Sequence, residues 1–169
     1  MSVTLVPLVS PDRPQHRQSL DALVRATNVF SEAEIAVAVE LYDSTDPDYA
    51  FVGAFQGQSL VGYACYGPTP GTDRGFDLYW IAVDPSAQNA GVGGALLQDV
   101  ERRVSADNAR LMFIETSSRD AYAPTRRFYT RHGYAEVARV AGFYAPGDDR
   151  IVYTKRFQAR PRRRGEESE

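Results

Sequence analysis

The sequence predicts a mixed α/β protein in which a mixed sheet of about seven strands carries helices on both faces. Segments rich in β-branched and aromatic residues recur along the chain, from residues 3–9 to residues 150–157. Segments with helical periodicity separate several of them, so strands and helices alternate in the middle of the chain. Because this order combines hairpins with helical connections, it favours a mixed sheet covered on both sides.

The first strand, residues 3–9, is followed by two predicted helices. The first helix lies near residues 15–27. The second begins at Ser31, because Glu34 three residues later completes a capping box, and it continues to about Tyr42. These helices either form one wall of a substrate site or simply pack on the sheet, and both alternatives stay open.

The remaining elements follow in a regular order. They are strands at 49–55 and 60–66, a central strand at 77–83, a helix that ends near 108, a strand at 110–116, a short helix at 124–132, and a hairpin of 134–144 and 150–157 across the loop 145–149. We expect residues 1–157 to form one domain. Residues 158–169 are basic and then acidic with few apolar side chains, which predicts a disordered charged tail.

The composition is that of an ordinary globular protein. The 169 residues are 43% hydrophobic and 24% charged, with a net charge of −3. This charge gives no reason to expect nucleic-acid or membrane binding, and we interpret Arg162-Arg163-Arg164 as solvated. One cysteine, the absence of a signal sequence and the absence of a long apolar run favour a cytoplasmic protein. A homodimer is left open.

A glycine-containing loop after the central strand predicts an anion site. Asp84-Pro85-Ser86 stops the strand, Gly91, Gly93 and Gly94 follow, and a helix begins directly after them. Backbone N–H groups at the start of a helix are unpaired and attract negative charge. The loop is not a P-loop, since no Gly-Lys-Ser/Thr follows, and Leu96 interrupts the dinucleotide-binding fingerprint.

Gln88, Gly91 and Gly93 match the pattern Gln/Arg-x-x-Gly-x-Gly/Ala behind a strand that ends in Val83-Asp84-Pro85. In this stretch the chain resembles the GNAT superfamily of acetyl-CoA-dependent N-acetyltransferases. The resemblance implies the GNAT fold, with a mostly antiparallel sheet that splays between strands four and five, acetyl-CoA as cosubstrate and no metal. It also implies a set of cofactor-binding residues, the first three through their backbone along the acetyl and pantetheine arm and the others around the diphosphate: Ile81, Ala82, Val83, Gln88, Asn89, Ala90, Gly91, Val92, Gly93 and Gly94.

A second stretch, Pro124 to Tyr134, resembles the same superfamily through Phe128-Tyr129 and Gly133-Tyr134. Two positions depart from the family pattern and remain cofactor-binding candidates: Tyr122, where asparagine is common, and Thr125, where alanine is common. The resemblance gives Tyr129 the role of the acid. A tyrosine with a pKa near 10 can protonate a leaving thiolate whose acid has a pKa of about 8.5. The alternative is that Tyr129 is a core aromatic like Phe128.

Glu115 is the candidate base that removes the proton of the attacking amine. It ends a predicted strand beside the central one, and Ile114-Glu115-Thr116 resembles the strand that carries the glutamate base of ribosomal-protein N-terminal alanine acetyltransferases. Asp77 and Tyr79 share one face of the central strand and are candidates to hold the acceptor or to relay its proton. Cys65 is interpreted as a small core residue.

The sequence does not predict a metal site, since His16 and His132 lie far apart without a cluster of ligands. His132 lies near a predicted helix C-terminus, where its side chain can interact favourably with the helix dipole. The predicted function is therefore transfer of an acetyl group from acetyl-CoA to a primary amine of a small molecule, peptide or protein, by direct attack in a ternary complex. The alternatives are a non-catalytic acyl-CoA-binding module and a nucleotide-phosphate binder.

Overall fold

The computed structural model describes residues 2–9 and 13–158, so the predicted tail lies almost wholly outside the described residues. The helices and strands are, in chain order, β1 Thr4–Pro7, α1 Arg13–Ala26, α2 Glu32–Asp43, β2 Ala50–Gln56, β3 Ser59–Pro68, β4 Gly75–Val83, α3 Val92–Ala106, β5 Leu111–Ser117, α4 Ala123–Arg131, β6 Ala135–Ala145 and β7 Asp148–Arg156. Short 3₁₀ helices at Pro85–Ala87 and Asp120–Tyr122 precede α3 and α4. The predicted elements are confirmed, with bounds that shift by a few residues.

The seven strands form one sheet in the order β1-β2-β3-β4-β5-β7-β6. Every neighbouring pair is antiparallel except β4 and β5, which run parallel because α3 connects them. The predicted mixed and mostly antiparallel sheet is confirmed.

The parallel pair β4–β5 holds together only at one end. Gly75, Phe76 and Asp77 pair with β5, and no later residue of β4 does. From there on the two strands splay apart, as predicted, and a gap opens in the middle of the sheet.

A bulge in β4 lies just beyond the last of these pairs. Cys65 of β3 pairs with Trp80, and the next residue, Tyr66, pairs with Leu78, so Tyr79 is the extra residue. Tyr79 and Trp80 consequently both pack on the same core cluster. The bulge turns the second half of β4 relative to the first.

Two hydrophobic clusters cover the two faces of the sheet. Helices α3 and α4 supply one cluster, which contains Leu96, Leu97, Val100 and Tyr129. Helices α1 and α2 supply the other, which contains Leu20. Amphipathic helices therefore pack on both faces, as the periodicities predicted.

The capping box that predicted the start of α2 is present. The hydroxyl of Ser31 accepts a hydrogen bond from the backbone of Glu34, and the carboxylate of Glu34 accepts one from the backbone N–H of Ser31. None of the helices in residues 2–9 and 13–158 has the length and hydrophobicity needed to cross a bilayer.

The last hairpin differs from the prediction. Strand β6 ends at Ala145 and β7 begins at Asp148. The turn between them is therefore only Pro146-Gly147 rather than the loop 145–149. Gly147 has φ +80°, which allows such a tight turn. The irregular part of the hairpin lies within β6 rather than at the turn, since the register with β7 shifts between Val140 and Ala145.

Candidate active site

The N-terminus of α3 presents unpaired backbone donors beside the gap. Its N-cap, Gly91, has a left-handed backbone with φ +79°, and no side chain of the described residues caps the helix. In the same part of the chain, no heavy atom beyond its chain neighbours lies within 4 Å of a Cβ placed on Gly91, so the residue is glycine because of its backbone rather than because of crowding. Because N–H groups at an uncapped helix start attract an anion, the geometry is compatible with the predicted anion site, which stays a prediction.

Gln88 and Gly93 help to position this loop, the first through a hydrogen bond and the second through its small size. The side-chain amide of Gln88 donates to the carbonyl of Val83 at 3.3 Å and ties the loop to the end of β4. A Cβ on Gly93 would lie 3.4 Å from the ring of Phe128 in α4, and one on Gly94 would lie 3.1 Å from Nε2 of His132. The two glycines therefore also allow α3 to approach α4 closely.

The hydrogen-bonding pattern of β4 shows which backbone groups face the gap. The N–H of Asp84 donates to the carbonyl of Val61 in β3 at 2.9 Å. Because hydrogen-bonded and non-hydrogen-bonded positions alternate along an antiparallel pair, Ala82 also faces β3. Ile81 and Val83 face the gap, whereas the backbone groups of Ala82, predicted to line it as well, point away.

A cavity of about 360 Å³ extends through this gap. Its wall includes residues from both faces of the sheet, with Glu34 from α2 on one side and Tyr129 from α4 on the other. The full lining is Phe30, Ser31, Glu34, Leu78, Tyr79, Trp80, Ile81, Glu115, Thr116, Ser117, Arg119, Tyr122, Thr125, Tyr129, Tyr144 and Asp148. Predicted candidates from β4, β5 and α4 thus meet at one place.

Tyr129 lies deep in the cavity wall. It is only 5% exposed, and its ring centroid is 6.0 Å from that of Tyr153 and 6.2 Å from that of Tyr134. Burial raises the pKa of Tyr129 well above 10, so its hydroxyl is protonated at neutral pH. Phe128, predicted to be the core residue of the pair, is the less buried of the two. The two interpretations of Tyr129 are compatible, because it belongs to the core and also borders the cavity.

Glu115 reaches the cavity from β5. Its side chain is 48% exposed, and its nearest cationic partner is Arg150, with an N–O distance of 3.6 Å. That separation is longer than a hydrogen bond. The carboxylate therefore keeps its lone pairs available for another donor.

The two candidates from β4 occupy different positions. The carboxylate of Asp77 accepts a hydrogen bond from the hydroxyl of Thr69 at 2.7 Å, and Asp77 is not part of the cavity wall. Burial raises the pKa of Asp77 despite that hydrogen bond. Tyr79 borders the cavity, but its hydroxyl donates to the carbonyl of Pro68 at 3.2 Å. Burial and the nearby Asp77 raise the pKa of Tyr79 to about 12.

An ionic network in the cavity wall was not predicted from the sequence. Arg119 lies 3.2 Å from the carboxylate of Glu34 and 3.3 Å from that of Asp148. The hydroxyl of Tyr122 donates to Glu34 at 2.7 Å, and Ser117 donates to Asp148. The network joins α2, the loop after β5 and the start of β7.

The hydroxyl of Tyr122, a candidate for contact with the cofactor, is therefore already engaged. Burial alone would raise the pKa of Glu34, but hydrogen bonds from Tyr122 and Ser31 and the charge of Arg119 outweigh it and lower the pKa. Thr125, the other candidate that departs from the family pattern, borders the cavity. The capping box was the only sequence signal for Glu34, and it gave no indication of the partners from the second half of the chain.

The remaining chemical candidates lie elsewhere. Cys65 is fully buried in the cluster under α1 and α2, as predicted. His132 is the C-cap of α4, where its Nδ1 lies 2.8 Å from the carbonyl of Phe128. Within the described residues, no three His, Cys, Asp or Glu side chains are grouped so that they could hold a metal ion.

A splayed sheet, a cavity in the splay and a glycine N-cap at the start of the helix that follows β4 define an acyltransferase of the GNAT type. Comparison with known families agrees, because the model of the acetyltransferase (GNAT) family matches residues 17–134. The chain therefore belongs to the GNAT acetyltransferase family and is an acyltransferase.

Individual relatives support the same assignment. A GNAT-family protein of known structure from Desulfovibrio desulfuricans is 42% identical, with a TM-score of 0.85 over 92% of this chain and 99% of that chain. An aminoglycoside 6'-N-acetyltransferase crystallised with coenzyme A shares the fold, with a TM-score of 0.74 and 19% identity over 95% of this chain and 99% of that one. S-(2-succino)cysteine N-acetyltransferase from Bacillus subtilis is 30% identical over 69 residues, which are 41% of this chain and 42% of that enzyme.

Proposed function

We propose that the protein transfers the acetyl group of acetyl-CoA to the primary amine of an acceptor, by direct attack within a ternary complex. The observation that carries the proposal is the cavity through the sheet. It brings a carboxylate with spare hydrogen-bonding capacity, Glu115, and a buried protonated phenol, Tyr129, to the same opening beside the edge of β4.

The cosubstrate site follows from the backbone. We assign the diphosphate to the loop from Gln88 to Gly94, where the start of α3 has no side-chain cap. The pantetheine arm then lies along β4, where the polar groups of Ile81 and Val83 face the gap. The relative that contains coenzyme A and shares this fold supports the assignment.

The chemistry assigns one role to each group. The acceptor nitrogen attacks the thioester carbonyl, so a proton must leave the nitrogen, negative charge develops on the oxygen and a thiolate departs. Glu115 takes the proton directly or through a water molecule. The N–H of Val83 donates to the developing oxyanion, and Tyr129 protonates the thiolate.

The acceptor class is left broad by the fold. The cavity of about 360 Å³ is large enough for a small molecule or for the end of a peptide. The relatives act on acceptors as different as an aminoglycoside and a substituted cysteine. The proposal therefore specifies acetyl transfer to a primary amine, and a screen of acceptors identifies the rest of the substrate.

The test is acetyl-CoA turnover, measured as released thiol, with amines, amino acids, polyamines and peptides as acceptors. Replacement of Tyr129 by Phe removes the phenolic hydroxyl and keeps the ring, and we expect turnover to fall by about 10²-fold while coenzyme A affinity stays unchanged. Coenzyme A affinity is measured by calorimetric titration of both proteins. Unchanged turnover would remove Tyr129 from the mechanism, and no thiol release with any acceptor would contradict the proposed reaction.

A further inference from the structure

Arg150, which the proposed mechanism does not use, is a cation with unfilled hydrogen-bonding capacity next to two residues of the cavity wall, Glu115 and Ser117. It lies on β7 opposite Ser117 of β5, a residue of the cavity wall. Its Nε is buried and, among the residues that the structure describes, has no hydrogen-bond partner. The guanidinium stacks 4.3 Å from the ring centroid of Phe143, and its nearest carboxylate, Glu115, is 3.6 Å away. A buried donor without a partner is costly, which makes this arginine unusual.

The other charged groups of the cavity have partners. Glu34 accepts hydrogen bonds from Tyr122, from the backbone of Ser31 and from Arg119. Asp148 accepts from Ser117 and lies 3.3 Å from Arg119. Arg119 in turn bridges these two carboxylates. The charges left with spare capacity are therefore one anion, Glu115, and one cation, Arg150, side by side.

We propose that Arg150 binds a carboxylate of the acceptor, so that the acceptor is an amino acid with its amine and carboxylate on the same or adjacent carbons. This inference rests on the proposed acetyl transfer and specifies its substrate. The ammonium group enters beside Glu115, which takes its proton, and the carboxylate lies against Arg150. Arginine suits this role because its planar fork can donate two parallel hydrogen bonds to a carboxylate.

This arrangement discriminates between the acceptor classes that the reaction alone leaves open. The N-terminal amine of a peptide has an amide beside it where a free amino acid has a carboxylate, and the side-chain amine of a protein lysine is flanked only by methylene groups. An amide is neutral and leaves the guanidinium unpaired. Two aromatic rings near Arg150 are about half exposed, Phe143 stacked with its guanidinium and Tyr144 in the cavity wall, and they provide an apolar surface for the acceptor's side chain.

The experiment compares free amino acids with their α-carboxamides, in which a neutral amide replaces the carboxylate. L-Phenylalanine, L-methionine, L-glutamate and S-methyl-L-cysteine serve as the probes, each beside its amide. We expect a lower KM for at least one free acid than for its amide. In R150Q that KM should rise about 10- to 100-fold while the KM of the amide changes by less than about threefold, because only the acid loses a charged partner.

Two further variants separate recognition from structure. R150K keeps the charge and should restore part of the preference for the free acid. R139Q is the matched control, because Arg139 lies on the same hairpin and pairs with Asp149 and Glu136 away from the cavity wall. It should retain the wild-type preference. Melting curves by circular dichroism establish that each variant is folded.

Calorimetric titration of the same probes into the protein saturated with coenzyme A distinguishes this inference from the reaction. Carboxylate-dependent binding that R150Q abolishes supports the inference even if no acetyl transfer occurs, which would then contradict only the proposed function. If no free acid binds or reacts better than its amide, or if R150Q weakens both equally, Arg150 is not a carboxylate anchor.

Discussion

Glu115 differs from the other two carboxylates of the cavity in its partners. Glu34 and Asp148 are held by hydrogen bonds and by Arg119, whereas within residues 2–9 and 13–158 the one charged partner of Glu115 is Arg150, at an N–O distance of 3.6 Å. A carboxylate fixed by several donors stabilises structure, and one with open lone pairs can accept a proton. The hydrogen bonds of the wall thus favour Glu115 over its neighbours as the base.

Replacement of Glu115 by Gln should lower turnover at pH 7 by about 10²-fold without changing coenzyme A affinity, because the amide cannot take the proton. The deficit should shrink as the pH rises toward the pKa of the acceptor amine, since a growing fraction of the amine is already neutral. Turnover measured from pH 6.5 to pH 9.5 checks this expectation.

Asp77 provides the control for that prediction. Its carboxylate is bonded to Thr69 and lies outside the cavity wall, so Asp77→Asn should change turnover by less than about threefold. A large, pH-independent loss in Glu115→Gln would show that Glu115 holds the structure rather than a proton.

At the scale of single elements, the N-cap of α3 requires a left-handed backbone conformation. Gly91 has φ +79° and open space around its Cβ position, and Gly71, in the loop between β3 and β4, has φ +74° and the same open space. An alanine costs about 1–2 kcal/mol of left-handed strain at either position. Only at Gly91 does its methyl group also occupy the proposed diphosphate site.

We therefore expect Gly91→Ala and Gly71→Ala to lose similar free energies of unfolding in urea. Gly91→Ala should lower coenzyme A affinity by at least about tenfold, and Gly71→Ala should leave it unchanged. Thermal shifts over a range of coenzyme A concentrations measure the affinity. Equal affinities in the two variants would show that the diphosphate binds elsewhere.

Elements with local signals were predictable, and long-range contacts were not. Ser31 and Glu34 are three residues apart, so the capping box could be recognised in the sequence. The bond from Tyr122 to Glu34 spans 88 residues, and no local pattern encodes it. The turn was misjudged for a similar reason, since Pro146-Gly147 was visible but the register shift inside β6 depends on pairing with β7.

For the whole molecule, buried tyrosines link stability to alkaline pH. Burial raises the pKa of Tyr122, Tyr129 and Tyr134 above 10, and burial with Asp77 raises that of Tyr79 to about 12. Above pH 10 the unfolded chain loses these protons first and binds fewer protons than the folded chain. Stability must then fall as the pH rises.

The contribution of these tyrosines to the free energy of unfolding should consequently be constant below about pH 10 and decrease toward pH 12. Urea unfolding followed by circular dichroism at pH 8, 9, 10 and 11 measures the decrease. Tyr129→Phe removes one of the titrating groups, so its curve should fall less steeply. Parallel curves for the variant and the wild type would contradict the assignment to Tyr129.

The overall fold was more predictable than the site. The glycine loop, the order of elements and the motif around Gln88 indicated the GNAT fold and its splay, since these features lie in contiguous segments. The cavity depends on how far β4 and β5 separate after Asp77 and on which charges pair across it. Arg150 has no sequence signal, because its role arises from Glu115 and Phe143 on neighbouring strands.

The early end of pairing between β4 and β5 has a consequence for solubility. A continuous sheet has two edge strands, and each exposes unpaired backbone groups. A strand of another chain can hydrogen-bond to these groups, which leads to aggregation. The splay creates two more borders, but they face each other inside the molecule, between α2 on one side and α4 on the other. Helices on both faces of the sheet restrict the approach of a foreign strand to these inner edges, whereas their main-chain donors stay available to a ligand in the gap.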